Sequence, residues 1–330
     1  MKTCFGKCLS CLAILIAIFA PAFLQAQVVT APFDPTSSVD KPAAAGWREG
    51  KSIGLVYNEA SGNRTVDSDE AYKFETSGTS VNGHLKFSNI SFDAAWKRSK
   101  TDAKVERFYE SRVNLDYDIS SANIALTGND FVAVGLGIKI GNSTDYFDAT
   151  HDSETTTQTS VAGSISVKPM DIFFIGGGFE RVKEESSYTV DNVWNVTTLG
   201  LALMLGEPGG TRFRTEYAYS SSPHESSSGQ GDLHEAVHNE TTTSMFAAEL
   251  MMSGLLFSAK TSEKRIRLEE SVSFNGKNHE EMIFNEGEAG VLWVPQDGVA
   301  LGFYFASSQT TFFYKDDNTA FKINIGYVFQ

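Results

Sequence analysis

The chain ends on the stretch FKINIGYVF, residues 321–329, in which apolar and polar side chains alternate almost without error. On an extended strand the apolar side chains share one face, which carries Phe321, Ile323, Ile325, Tyr327 and Phe329. The opposite face carries Lys322, Asn324, Gly326 and Val328. A period of two residues is typical of a β-strand with one apolar face. The sequence therefore predicts a strand at its C-terminal end.

The same alternation recurs upstream in segments that are separated by turn residues, with clear examples starting at Ser52, Phe131 and Val299. A strand that crosses a bilayer needs about 9 to 11 residues, whereas strands of soluble sandwiches average about five or six. The segment lengths predict an all-β fold, an antiparallel transmembrane β-barrel of about 14 strands, with about 12 or about 16 as the neighbouring counts.

The parity of each strand predicts which side chains face lipid. Between residues 109 and 117, Leu115 and Tyr117 are predicted to face lipid and Arg112 to face the lumen. Residues 118–130 fit no regular strand, and we expect either a long periplasmic turn or an extra short strand. An aromatic girdle at the membrane interface is predicted to include Trp96, Trp194 and Trp293.

The polar face of the predicted strands carries many charged side chains, which a dry core would bury only at high cost. We therefore expect a water-filled lumen. Charged residues that line it are predicted to filter solutes by size and charge. The candidates are Arg112, Arg212, Arg214, Glu216, Glu249 and Lys260.

The N-terminus is predicted to carry a signal peptide over residues 1–26. Lys2 and Lys7 precede an apolar stretch that is too short to span a membrane. All three cysteines of the chain lie in this leader, so no disulfide is expected in the mature protein. Residues 27–49 lack periodicity and are predicted to form a flexible periplasmic segment, and residues 50–330 are predicted to form the barrel.

The formal net charge of −14 argues against a nucleic acid partner, because phosphate recognition needs a basic surface. We expect no cofactor. One long acidic loop is predicted to offer weak binding to a divalent cation or a bridge to lipopolysaccharide, through Asp145, Asp148, Asp152 and Glu154.

Residues 234–238 read HEAVH and match H-E-x-x-H, in which two histidines one helical turn apart hold zinc and the glutamate activates water. The motif lies in a loop rich in Ser and Gly, without the outer partners that orient metal ligands. We expect His234 and His238 to form at most a weak metal site, and we expect no enzymatic activity.

The leader, the alternating strands, the acidic loops and the closing 321–329 pattern together resemble a bacterial outer-membrane porin-type β-barrel. The resemblance covers Lys51 to the C-terminus. It implies location in the outer membrane, contact with outer-membrane lipids and lipopolysaccharide, and insertion by the barrel-assembly machinery, which reads a terminal strand of this kind. Gln330 departs from the family, whose members usually end on the aromatic residue.

The resemblance and the charged lumen predict a channel for passive diffusion of small polar solutes. Two alternatives stay open. One is a fatty-acid-transporter-like barrel for hydrophobic compounds, for which an N-terminal segment folded inside the barrel would be the sign. The other is a structural or adhesive barrel that displays its loops.

Overall fold

The computed structural model describes residues 29–39, 41–66, 69–105, 111–147, 152–187, 192–206, 210–228, 235–272, 276–311 and 315–329. No helix in these residues is long and apolar enough to cross a membrane. The one short helix is a 3-10 helix over Pro42–Trp47.

The remaining regular structure is β-strand, in elements of 14 to 19 residues. The strands are β1 (Lys51–Val66), β2 (Asp69–Phe87), β3 (Ile90–Val105), β4 (Ser111–Gly128), β5 (Val132–Phe147), β6 (Asp152–Met170), β7 (Phe173–Ser186), β8 (Asn192–Leu205), β9 (Arg212–Ser228), β10 (Glu235–Met252), β11 (Leu255–Val272), β12 (Gly276–Trp293), β13 (Gly298–Thr311) and β14 (Lys315–Phe329).

Each strand pairs antiparallel with its neighbours in sequence, and β1 pairs with β14 to close the sheet. The closing seam runs from Lys51 opposite Phe329 to Thr65 opposite Lys315. Closure leaves no sheet edge, so the backbone groups that lie in lipid can pair within the barrel. The predicted antiparallel barrel of 14 strands is confirmed.

The outer face carries an apolar band beside the short turns. Leu136, Leu199 and Phe305 are each more than 60% exposed on it, and so many exposed large apolar side chains are stable only when lipid is the solvent. Trp293 lies on this face, as predicted. Trp194 does not, because it lines the lumen.

The hairpin turns at one end of the barrel are short. In the turn between β10 and β11, Ser253 and Gly254 have φ angles of 51° and 80°, which a two-residue hairpin turn of the I′ type requires. Short turns face the periplasm in outer-membrane barrels, so the opposite end faces the outside.

Residues 29–39 and 41–49, here called the lumenal segment, lie inside the barrel near the short turns. The Ser52 hydroxyl, at the start of β1, donates to the carbonyl oxygen of Pro35 at 3.2 Å, and residues 43–45 are fully buried. This differs from the flexible periplasmic segment that the sequence predicts. A Pro- and Ala-rich stretch has no periodic pattern, yet its small side chains fit a narrow lumen.

β4 corrects two further predictions. It runs unbroken, so residues 118–130 form neither a long turn nor an extra strand. Its parity is also the reverse of the prediction, since Leu126 is exposed on the outer face while Tyr117 lines the lumen. Arg112 belongs to β4, and its side chain lies outside the described part of the structure. Assigning apolar residues to lipid fails here because this part of the lumen is itself apolar.

Two polar stretches that the sequence predicts as loops, from Asp145 to Glu154 and around the HEAVH motif, are mostly strand in the described residues. Residues 142–156, 222–241 and 269–280 largely belong to the hairpins β5–β6, β9–β10 and β11–β12. Beyond the lipid band the outer face meets water, so the apolar alternation disappears while the hydrogen-bonded ladder continues.

The ladder between β8 and β9 is incomplete. Pairing stops at Thr197 opposite Ser221, although the backbone of both strands continues for at least five residues. Pro223 follows closely and has no N–H to donate to a neighbouring strand. Above the lipid band, the wall between β8 and β9 is therefore unpaired over this part of the described chain.

Candidate functional site: the lumen and its segment

The start of the lumenal segment is held by a buried cluster of charges on β9 and β10. The Glu216 carboxylate accepts hydrogen bonds from the backbone amides of Val29 at 3.0 Å and Thr30 at 3.3 Å. Arg214 lies between Glu216 at 2.5 Å and Glu249 at 3.3 Å. Its Nε also donates to the Thr30 hydroxyl at 2.7 Å.

This cluster holds one guanidinium and two carboxylates, and each of the three residues is 5% exposed or less. One cation cannot satisfy two buried carboxylates alone, and unpaired charges in such a place are costly. The backbone of the segment supplies the missing donors, including the Phe33 amide, which donates to Glu249 at 2.9 Å. The charge cluster and the segment are therefore complementary.

Phe33 makes the apolar contact at this end. It packs against a buried group formed by Met251, Leu256 and Leu292. The Arg212 guanidinium lies 4.7 Å from the centre of the Phe33 ring and 3.1 Å from the Glu49 carboxylate. A cation over an aromatic face is attractive, so Arg212 ties together the two ends of the segment.

A turn at Asp34 fixes the middle of the segment. Its carboxylate accepts from the Thr36 amide at 2.7 Å, the side-chain pattern of an Asx turn. The same carboxylate accepts from the Tyr304 hydroxyl at 2.8 Å and the Asn324 amide at 3.3 Å. Asn82 donates to the Thr36 carbonyl oxygen from the other side of the closing seam.

Two ion pairs hold the rest of the segment. Lys41 lies 2.7 Å from Glu180 on β7, and Lys139 approaches the same carboxylate at 3.7 Å. Arg48 lies 3.1 Å from Asp93 on β3. Lys41 and Arg48 are both buried. Their ion pairs therefore lie in a medium of low dielectric constant, and removal of either partner would leave a buried charge without compensation.

Small residues make room for the segment. A Cβ atom at Gly135 would lie 2.5 Å from the backbone of Pro42 and Ala43. A Cβ atom at Gly200 would lie 2.6 Å from a methyl group of Val29. The barrel wall is thus shaped to the segment, which fills the lumen beside the short turns.

A cavity of about 650 Å³ lies on the outer side of the segment. One part of its wall, from β4 to β8, carries several apolar side chains beside the charged Lys139, Glu180 and Glu184. The apolar lining there comprises Tyr117, Ile119, Val182, Trp194 and Val196. Such a wall gains free energy by covering apolar surface of a ligand, roughly 25 cal/mol per Å².

The opposite half of the wall is basic. Lysines on β3, β11 and β14 line it: Lys97, Lys260, Lys264 and Lys322. Two of them share one carboxylate, since Lys260 lies 2.8 Å from Glu288 and Lys322 also pairs with Glu288. The cavity therefore combines an apolar wall with a wall rich in cations.

The predicted pore-lining residues have different places in the structure. Arg212, Arg214, Glu216 and Glu249 contact the lumenal segment, as described above. Lys260 lines the cavity. Arg112 lies on β4, and the orientation predicted for its side chain stays a prediction. The charged residues predicted to filter solutes in open water are thus mostly occupied by the segment.

The sequence does not reveal which residues of the lumenal segment contact the barrel wall. Thr30, Asp34, Lys41 and Arg48 lie in a stretch without periodicity, so no pattern marks them. A signal exists on the wall, where small residues recur at inward positions: Ala125, Ala133, Gly135 and Gly137. A lumen filled only with water would not require small residues at these positions, whereas a segment packed against the wall does.

Residues 235–238 of the HEAVH motif are strand rather than helix, because they belong to β10, and His234 falls outside the described residues. The zinc motif needs a helix that brings its two histidines one turn apart. Within the described residues, no three His, Cys, Asp or Glu side chains converge as a metal site.

No protein-family model matches the sequence, and no curated protein matches it. Solved structures do match. A FadL homologue from Pseudomonas aeruginosa has a TM-score of 0.60 at 10% identity, covering 91% of this chain and 95% of that chain.

Two toluene transporters also match. TodX from Pseudomonas putida has a TM-score of 0.54 at 9% identity, with 91% of this chain and 99% of that chain covered. TbuX from Ralstonia pickettii has a TM-score of 0.55 at 8% identity, with 88% and 92% covered. At these identities the likeness shows the fold.

The closed barrel, its apolar band and these matches define a class. The chain is a bacterial outer-membrane β-barrel. The predicted resemblance to this class and the predicted location in the outer membrane are confirmed. The solved structures that it resembles include transport channels.

Proposed function

We propose that this chain is an outer-membrane channel for small hydrophobic compounds, the alternative that the sequence left open beside a porin. The observation that carries the proposal is the cavity of about 650 Å³ with its apolar wall, closed on one side by the lumenal segment. A partly apolar cavity that is closed at one end can hold a ligand, whereas a diffusion pore needs a continuous aqueous path.

The placement of the charged residues also favours this function over a porin. Arg214 and Glu216 bond to the backbone of the segment rather than facing an open pore. The solved structures with this fold support the same choice, since their names describe a FadL homologue and toluene transporters.

The basic half of the cavity refines the substrate class. Lysines outnumber carboxylates in its lining, although the chain as a whole carries a net charge of −14. A ligand with an apolar body packed against Trp194 and an acidic group near Lys260 or Lys264 would match both the apolar and the basic parts of the lining. We therefore propose an amphipathic compound with one anionic group as the preferred ligand.

Tryptophan fluorescence tests the proposal because Trp194 lines the cavity and Trp96 lies on the outer face. Two variants would each keep a single tryptophan, Trp194 or Trp96, with phenylalanine at the other three positions. Each is titrated in detergent with a brominated fatty acid and with the matching brominated alcohol, since bromine quenches tryptophan on contact.

We expect saturable quenching of Trp194, with tighter binding of the acid than of the alcohol. Quenching of Trp96 is expected to rise linearly, because it reports only partition into the micelle. Equal, non-saturating quenching of both tryptophans, together with discrete open channels of the full chain in a planar bilayer, would favour the porin instead.

A further inference from the structure

Asp145 on β5 and Glu154 on β6 lie directly opposite one another near the outer end of the barrel. Asp145 has the parity of Lys139 and Gly141, which line the cavity. Residues directly opposed on antiparallel strands have Cβ atoms about 4.5 to 5.5 Å apart. Two like charges at this spacing destabilise the pair.

The environment of Asp145 makes this pair more costly. Asp145 is 1% exposed, and neither oxygen of its carboxylate has a hydrogen-bond partner within the described residues. Its other cross-strand neighbour is Leu115, which offers no donor. Glu154 accepts a single hydrogen bond of 2.6 Å, from the Ser186 hydroxyl. A buried carboxylate without donors is strongly unfavourable.

The other buried acidic residues of the described strands have cationic partners. Each other buried acidic residue of the described strands has an arginine or lysine within ion-pair distance: Asp93, Glu180, Glu216 and Glu249. Asp145 is the exception in this part of the chain. Within the described strands, the Asp145 carboxylate is therefore the buried acid that lacks a cationic partner.

We propose that Asp145 and Glu154 together bind a hard divalent cation, Ca²⁺ or Mg²⁺, at the outer mouth of the barrel. Carboxylate oxygens are the preferred ligands of both ions, and water completes the coordination where the protein supplies few ligands. The Ser186 hydrogen bond orients Glu154. With two carboxylates as ligands, the dissociation constant is expected at roughly 0.1 to 1 mM, as in extracellular calcium modules. This proposal is independent of the proposed transport function.

Isothermal titration calorimetry and thermal unfolding of the refolded full barrel in detergent test the site. The barrel is stripped with EDTA and then titrated with CaCl₂ or MgCl₂, with NaCl at matched ionic strength as the control for screening. We expect saturable binding and a higher Tm with one or both divalent ions. Asp145→Asn and Glu154→Gln should each weaken binding at least tenfold.

A second measurement distinguishes loss of a cation site from a general loss of stability in the variants. Asp145→Asn removes the repulsion, so in EDTA this variant should melt above the wild type. Glu185→Gln is the matched control, because Glu185 is exposed on the neighbouring strand β7 and pairs with Lys183. It should leave the divalent effect unchanged. A divalent shift that persists in the double variant Asp145→Asn/Glu154→Gln, or no shift in the wild type, would overturn the proposal.

Discussion

At the scale of single residues, the lumen is organised by charges that the lumenal segment satisfies. Parity correctly predicted that Arg214, Glu216 and Glu249 face inward, because strand alternation depends only on local backbone geometry. Their partners lie more than 180 residues away in the chain, as with Thr30 and Glu216. No local pattern encodes such a pairing, so parity alone predicts a filter at these residues.

Glu216→Gln should loosen the start of the segment. The variant keeps a side-chain oxygen but loses the charge that Arg214 and the amides of Val29 and Thr30 share. A loss of about 1 to 3 kcal/mol corresponds to amide exchange roughly fivefold to 150-fold faster at these residues. Hydrogen exchange read by mass spectrometry measures it. Unchanged exchange in Glu216→Gln would contradict the role of the cluster.

Gly135→Ala should displace the segment at the 3-10 helix. The added Cβ would lie 2.5 Å from backbone atoms, which cannot rotate away. We expect increased protease cleavage between residues 41 and 49, detected by mass spectrometry of the refolded barrel. Gly83→Ala is the control, because its Cβ would meet no atom closer than 4.0 Å. Equal cleavage in both variants would mean that the wall does not shape the segment.

At the scale of elements, the sequence predicted strands well within the lipid band and poorly outside it. For the terminal strand the prediction is correct, because one face of the strand meets lipid and the other does not. The stretch from Asp145 to Glu154 is predicted as a loop because both of its faces are polar. For β4 the predicted parity is reversed, because apolar side chains face the lumen there. Alternation in the sequence reveals a strand only where one face of the strand is apolar and the other is polar. Where both faces have the same polarity, or where the apolar face points into the lumen, the prediction fails.

The incomplete ladder between β8 and β9 leads to a prediction for these elements. Amides of residues 192–196 and 222–226 that point across the gap lack a strand partner and should exchange faster than those of residues 197–205. Hydrogen exchange of the intact barrel checks this. Pro223→Thr restores an N–H and should slow exchange at residues 192–196. Uniform protection along β8 in the wild type would show that the two strands pair throughout.

At the scale of the whole molecule, the lumenal segment decides whether the barrel is open. The sequence predicted the barrel because closure follows from strand count and length. It could not place residues 29–49, because their position depends on a lumen that exists only once all strands have paired.

Deleting residues 29–47 should open the channel. The seam between β1 and β14 does not include these residues, so the barrel should still fold, as judged by its slower migration on gels when unheated. The freed carboxylates of Glu216 and Glu249 would then be hydrated. We expect discrete, larger conductance steps in planar bilayers than for the full chain. Identical conductance would mean that the segment does not obstruct the lumen.

The length of the strands sets the height of the entrance. A strand of 18 residues such as β10 rises about 45 Å at a tilt of about 40°. The lipid band accounts for about 25 Å of that height, and it begins at the short turns. The remaining length of the strand extends beyond the lipid band on the outer side. Under the proposed function, a hydrophobic molecule would therefore enter the lumen at this height rather than at the surface of the lipid.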